Sequence, residues 1–131
     1  MTIPKLVARF NRYPVGAFVA LSTALFGLAM LNPYVQTFAL FPTYALMARY
    51  APENVWGLGF FSAGVLMLLG ILGGLRRVHY AGALSVVGAR LFMLTFVGLQ
   101  TEWKANSIPD FSIWAAMALF CLVHAYRDAR P

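Results

Sequence analysis

Charged side chains are scarce in this sequence, and acidic ones are the scarcest. Charged residues make up 11% of the chain, with only 4 Asp and Glu, whereas hydrophobic residues make up 61%. A soluble globular chain carries about 25% charged residues, because it must cover its surface with them. The composition therefore excludes a water-soluble globular protein and predicts a chain that lies mostly in lipid.

Residues that carry chemistry are also few. The single cysteine, Cys121, excludes an internal disulfide, and it lies in an apolar run, where cysteine packs as a small hydrophobe. The two histidines, His79 and His124, belong to no metal or haem motif, so we predict no metal and no cofactor. We find no activated nucleophile, phosphate-binding glycine loop or paired carboxylates, and therefore predict that the protein is not an enzyme.

What the sequence does have is four long apolar runs. We predict spans at 14–31, 55–75, 80–99 and 108–126. About 20 helical residues cross the ~30 Å hydrocarbon core, and these runs are apolar on all sides, unlike the alternating pattern of a transmembrane strand. The expected fold is all-α: an integral membrane four-helix bundle, with residues 1–131 as a single membrane domain.

The basic residues predict the orientation. One side of the membrane would carry most of them: Lys5, Arg9, Arg12, Arg76, Arg77, Arg127 and Arg130. The other would carry Arg49 and Lys104, with acidic neighbours. Because Lys and Arg concentrate in cytoplasmic loops, both termini should face the cytoplasm of a bacterial inner (cytoplasmic) membrane. A net charge of +6 could also indicate nucleic-acid binding, but these charges flank apolar runs, so we predict no nucleic acid. The expected membrane-interface anchors are Arg76, Arg77, Trp56, Trp103 and Trp114.

The first connection, residues 32–54, is too apolar for a solvated loop. We predict a short interfacial helix at residues 43–50, lying on the outer leaflet between spans 1 and 2. Pro52 and Glu53 then favour the start of the second span. The segment would cap the outer end of the bundle, contact a protein partner or form a pore mouth. Arg49 and Glu53 are functional candidates here.

Small residues predict where helices pack closely. Gly16, Ala20 and Ala24 share one face of the first span, and Gly70 and Gly74 form a GxxxG spacing in the second. Small residues occupy more faces than the interior of one bundle requires, so we also expect a homo-oligomer.

Arg90 is the third functional candidate, because it lies in the middle of the third span. A charge at that depth costs roughly 3 kcal/mol on insertion scales. Three placements are open: the side chain snorkels to an interface, it bonds to backbone carbonyls or to hydroxyls such as Ser22, Thr23 or Ser62, or it lines an aqueous path that favours anions.

The segment FPTYALMARYAPENVWG, residues 41–57, resembles a pattern in small membrane proteins of tailed bacteriophages and prophages, where a basic turn like Arg76–Arg77 follows the next span. The resemblance covers the middle half of the chain. It implies a phage or bacterial origin and a four-span architecture, and it carries over no active residues.

Two functions fit these features. The first is a non-enzymatic, oligomeric inner-membrane protein that alters membrane permeability or blocks passage, in a holin-like, exclusion or defence role. The alternative is a structural or accessory membrane subunit of a larger complex or virion. The expected partners are the lipid bilayer, further copies of the chain and a protein bound at the outer loop 32–54.

Overall fold

The computed structural model describes residues 2–32, 34, 44–104 and 108–130. Throughout these ranges the regular structure is helical, and it comprises α1 Ile3–Arg12, α2 Pro14–Leu31, α3 Ala45–Tyr50, α4 Glu53–Gly73, α5 Arg76–Thr101 and α6 Ile108–Ala129. The long helices α2, α4, α5 and α6 are each apolar enough to cross a membrane. The prediction of an all-α chain with four apolar spans is therefore confirmed.

Successive long helices pack side by side in the order α2, α4, α5 and α6, with a weaker contact between α6 and α2 that closes the bundle. Neighbouring helices are antiparallel. We call the end that holds both chain termini and the α4–α5 turn the terminal end. The end that holds α3 and the segment after α5 is the loop end.

The α2–α4 contact is formed by small residues. A Cβ atom added to Gly27 would overlap the backbone of Phe61, and one added to Gly64 would overlap the backbone of Ala24. The two helices therefore approach backbone to backbone, as small residues permit in lipid. The residues predicted for packing in the first span, Gly16, Ala20 and Ala24, are all buried.

The predicted Gly70–Gly74 pair has two different roles in the structure. Gly70 packs closely, because an added Cβ would overlap the backbone of His79 in α5. Gly74 is exposed beside the Arg9 side chain, with φ of 67°, and its N–H bonds to carbonyls of the last turn of α4. This left-handed conformation suits glycine and ends the helix, so Gly74 allows the α4–α5 turn.

Helix α3 closes the loop end of the bundle. Met47 is fully buried and Tyr44 nearly so, in a cluster with Met30, Phe60, Met93 and Val97. The indole Nε1 of Trp56 donates a hydrogen bond to the Met47 carbonyl oxygen at 2.9 Å. The arrangement corresponds to the predicted cap, although residues 33 and 35–43 of the predicted loop 32–54 lie outside the described part.

Helix α1 was not predicted, because its basic residues were interpreted only as topology signals. Its apolar side chains recur at the spacing of one helix face: Ile3, Leu6, Val7 and Phe10. Basic side chains follow the opposite face: Lys5, Arg9 and Arg12. The apolar face is uncovered, with Ile3 75% exposed. On the basic face, Arg9 Nη1 donates to the Leu72 carbonyl oxygen at 2.9 Å, which satisfies an end group of α4.

Candidate functional site: a buried arginine on the α2–α6 seam

The contact between α2 and α6, which we call the α2–α6 seam, is the most open side of the bundle. Only 22% of the apolar stretch of α6 is buried, against 39–44% for the other three long helices. Two cavities lie along this seam, of about 290 Å³ towards the loop end and about 190 Å³ towards the terminal end. The α2–α4 contact is formed by small residues, whereas charged and aromatic side chains line these two cavities.

Arg90 lines the larger cavity, although its Cα belongs to α5. The side chain is only 6% exposed, so this arginine is buried within the bundle. One guanidinium nitrogen, Nη2, donates to the Thr23 hydroxyl of α2 at 3.0 Å. Of the three predicted placements, this geometry corresponds to the second, bonding with a hydroxyl. Arg90 also lines a cavity, which is one feature of the third placement, the side chain on an aqueous path.

Three aromatic rings surround the guanidinium. Its Cζ lies 4.8 Å from the ring centre of Trp114, 5.7 Å from that of Phe60 and 5.8 Å from that of Phe26. Rings at these distances attract a cation through their negative faces, by roughly 2 kcal/mol when the pair is desolvated. We call Arg90, Thr23 and the three rings the Arg90 cage.

Trp114 has a role that the sequence did not indicate. It was predicted as an interface anchor, but it forms one wall of the Arg90 cage and stacks on Phe18 of α2 at 5.7 Å between ring centres. This stacked pair joins α2 to α6 across the seam. Aromatic stacking contributes about 0.5–1.5 kcal/mol beyond area burial, so the pair is one of the seam's main contacts.

The Arg90 guanidinium is incompletely satisfied. Its Nε is buried and has no hydrogen-bond partner among the described residues. Asp110 lines the same cavity, but within the described ranges no salt bridge joins it to Arg90. A buried donor left unpaired costs about 1–3 kcal/mol, and more when it is charged. The site therefore holds a positive charge that no ion pair among the described residues neutralises.

The terminal end of the seam is closed by polar groups. The hydroxyl of Tyr13, which precedes α2, donates to the carboxylate of Asp128 in α6. Burial, and next the hydrogen bond to Asp128, raise the pKa of Tyr13, so the phenol stays protonated at neutral pH. The ring of His79 stands edge-on to Tyr13 at 4.9 Å. The smaller cavity beside them is lined by Gly16, His79, Cys121 and His124, among others.

The other predicted site residues lie away from the Arg90 cage. Arg49 is exposed in the last turn of α3, and Glu53 lies in the first turn of α4. Neither lines the Arg90 cavity. Trp103 has φ of 62° and its ring covers Gly98, where an added Cβ would overlap it. The remaining anchors, Arg76 and Arg77, are exposed at the start of α5.

The residues that the structure describes contain no group of three or more His, Cys, Asp or Glu side chains that could hold a metal ion. Sequence reasoning singled out Arg90 and named Thr23 among its candidate partners, but it missed Phe26, Phe60 and the cage role of Trp114. Their only signal was aromatic character within spans, which is common in membrane proteins. Fold and site together define a class: a four-span helical membrane protein with a buried arginine on its least closed side.

The chain matches no protein-family model, no curated protein and no solved structure. The resemblance to phage membrane proteins therefore stays a prediction.

Proposed function

We propose that this protein is a non-enzymatic, oligomeric inner-membrane protein of phage or bacterial origin that alters membrane permeability or blocks passage, in a holin-like, exclusion or defence role. The observation that carries the proposal is the Arg90 cage, where a buried cation adjoins a cavity of about 290 Å³ on the most open side of the bundle. Intramembrane arginines that face a cavity mark ion and substrate paths. A positive charge at this depth would favour anions and repel cations.

The proposed orientation places the terminal end in the cytoplasm. Seven of the ten basic side chains flank the helices at this end: Lys5, Arg9, Arg12, Arg76, Arg77, Arg127 and Arg130. Helix α1 supports the same orientation, because an uncovered apolar face opposite a basic face suits the surface of an anionic leaflet. At the loop end, α3 would then lie at the outer interface.

Oligomer formation is supported by a groove on another side of the bundle. Between α4 and α5 lies a cavity of about 350 Å³ whose lining includes the small residues Gly59, Ser62, Ala63, Ser85 and Ala89. An added Cβ on Gly59 would meet nothing within 4 Å, so this glycine is not needed for packing inside one bundle. A second copy could approach closely there.

The same groove also favours the alternative function, an accessory subunit of a larger complex or virion, because a helix of a foreign protein would fit it equally well. Purification in mild detergent separates the two. A homo-oligomer supports the permeability proposal, and a stable foreign partner supports the accessory role. The Gly59→Leu variant should disrupt either assembly while leaving the bundle folded.

The permeability proposal is tested by flux. Purified protein in anionic vesicles should release trapped carboxyfluorescein, and expression in bacteria should lower the membrane potential reported by a voltage-sensitive dye. The Arg90→Gln variant should reduce anion release, whereas Lys104→Gln removes an exposed cation and should behave as wild type. If the wild-type protein neither leaks dye nor depolarises cells nor changes phage infection, the proposal is wrong.

A further inference from the structure

The Arg90 cavity has the properties of a binding site as well as those of a path. It lies among α2, α5 and α6, and its lining comprises Ser22, Phe26, Arg90, Asp110, Phe111 and Trp114. A volume of about 290 Å³ lies at the lower limit of small-molecule pockets, which span roughly 300–1,000 Å³ and are mostly apolar with a few placed polar groups. Aromatic walls around a single buried cation follow that description.

The guanidinium is already oriented for a ligand. The three rings of the Arg90 cage and the Thr23 hydroxyl hold it in place, so little side-chain freedom remains to be lost on binding. Arginine has five N–H donors in a planar fork. Since Nε is buried without a partner among the described residues, part of that fork is unoccupied. Arg90 lines the cavity, so an acceptor there would meet the guanidinium fork.

The chemistry of the cavity selects among anions. A carboxylate matches the guanidinium fork with two parallel hydrogen bonds. Asp110, which lines the same space, would repel a dianion more strongly than a monoanion. This disfavours a phosphate dianion relative to a carboxylate. Phe26, Phe111 and Trp114 offer apolar surface, so the remainder of the ligand should be hydrocarbon. The open seam gives such a molecule access from the lipid.

We propose that the Arg90 cavity binds the carboxylate group of an organic acid, with Arg90 as the anchoring cation and Trp114 as the adjoining wall. The acid has two sources, a fatty acid dissolved in the bilayer or a short-chain acid from water. This inference is independent of the proposed function, because binding at rest requires no passage through the membrane.

The test uses the full chain in dodecyl maltoside and reads the tryptophan fluorescence. The probe is 9,10-dibromostearate, whose bromine atoms quench a nearby indole, and its methyl ester is the control that lacks the carboxylate. We expect saturable quenching by the acid, with the ester at least tenfold weaker. The Trp114→Phe variant should lose the saturable component, which locates the bound acid beside residue 114.

The variants identify the anchor. Arg90→Gln should abolish saturable quenching, whereas Arg49→Gln makes the same change at an exposed arginine and should retain it. A short-chain source is tested with acetate and butyrate: if these raise the unfolding temperature of the wild-type protein but not of Arg90→Gln, while dibromostearate fails to bind, the ligand comes from water. Either pattern supports the proposal.

Three outcomes overturn it. They are quenching that is equal for acid and ester, quenching that survives Arg90→Gln, and no saturable effect of any of the three acids on the wild-type protein. The comparison of acid with ester uses the wild-type chain alone, so the test stands even if Arg90→Gln does not fold. Failure here would leave the flux experiment to be read on its own, since dye release is measured without dibromostearate, acetate or butyrate.

Discussion

Helix α2 contacts the bundle on two sides, and the two contacts are built in different ways. Towards α4 it presents small residues, and the backbones approach so closely that Gly27 and Gly64 have no room for a Cβ atom. Towards α6 it presents Phe18, which stacks on Trp114, and beside this seam the Thr23 hydroxyl accepts a bond from Arg90 of α5. Two cavities lie along the second contact.

The difference follows from the solvent. Lipid tails are as apolar as the side chains, so helices associate through close packing and hydrogen bonds rather than through the hydrophobic effect. Glycine and alanine allow close packing, but their side chains carry no polar or charged group that could bind a ligand or an ion. Aromatic rings and polar groups hold helices at a greater distance and leave space between them. The α2–α4 contact therefore stabilises the fold, and the α2–α6 seam is where we propose that a ligand or an ion interacts.

The largest expected effect comes from adding one carbon to the tight contact. The Gly64→Ala variant places a methyl group against the backbone of Ala24, and overpacking of this kind costs about 1–3 kcal/mol or more. Gly88→Ala is the matched control, because an added Cβ there meets nothing within 4 Å. We expect a lower unfolding temperature in detergent for Gly64→Ala and an unchanged or higher one for the control. Equal behaviour of the two would mean that α2 and α4 are not in backbone contact.

The second effect is smaller and concerns the polar closure of the seam. Tyr13→Phe removes the donor and Asp128→Ala the acceptor of the bond between Tyr13 and α6, and a hydrogen bond to a charged group contributes about 1.5–3 kcal/mol when buried, less at a half-exposed site. Unfolding free energies of the single and double variants form a cycle that isolates the pair. Tyr126→Phe removes a hydroxyl at the same end and serves as the control. Additive losses from the two substitutions would argue against the bond.

The two sides of α2 also differ in how far the sequence predicts them. The spacing of small residues predicted Gly16, Ala20 and Ala24 as packing positions, because helix packing in lipid has a compositional signature. The partners of Arg90 have none: Phe26, Phe60 and Trp114 belong to three different helices, and only the bundle geometry brings them together.

Gly74 and helix α1 were also misjudged from the sequence, because their roles depend on the folded structure. Gly74 was assigned by spacing to a packing face, yet its left-handed backbone ends a helix, a property that depends on where α4 stops. Helix α1 was missed because Lys5, Arg9 and Arg12 satisfy the rule for cytoplasmic charge whether or not they are helical. The apolar runs, by contrast, predicted four helices long enough to span a membrane, since burial in lipid depends on local sequence more than on tertiary contacts.

The smallest effect is a change in how often the seam opens. Phe18 is half-exposed, so Phe18→Ala removes little more than its stacking on Trp114, about 0.5–1.5 kcal/mol. Cys121 lines the terminal-end cavity of the same seam and reports local opening through its reaction with N-ethylmaleimide. A loss of that size should speed labelling by roughly two- to tenfold, since 1.4 kcal/mol corresponds to a factor of ten.

Two controls make this last measurement specific to the seam. Phe92→Ala removes another exposed ring, stacked on Phe96 in α5 and away from α6, and should leave Cys121 labelling unchanged. A cysteine placed at Met67, with Cys121→Ala, should be labelled only on unfolding and should not respond to Phe18→Ala, because that side chain is fully buried and lies beside Gly16 in the α2–α4 contact. If Phe18→Ala exposed both positions equally, opening would involve the whole bundle. The distinction between a contact for stability and a seam for interaction would then fail.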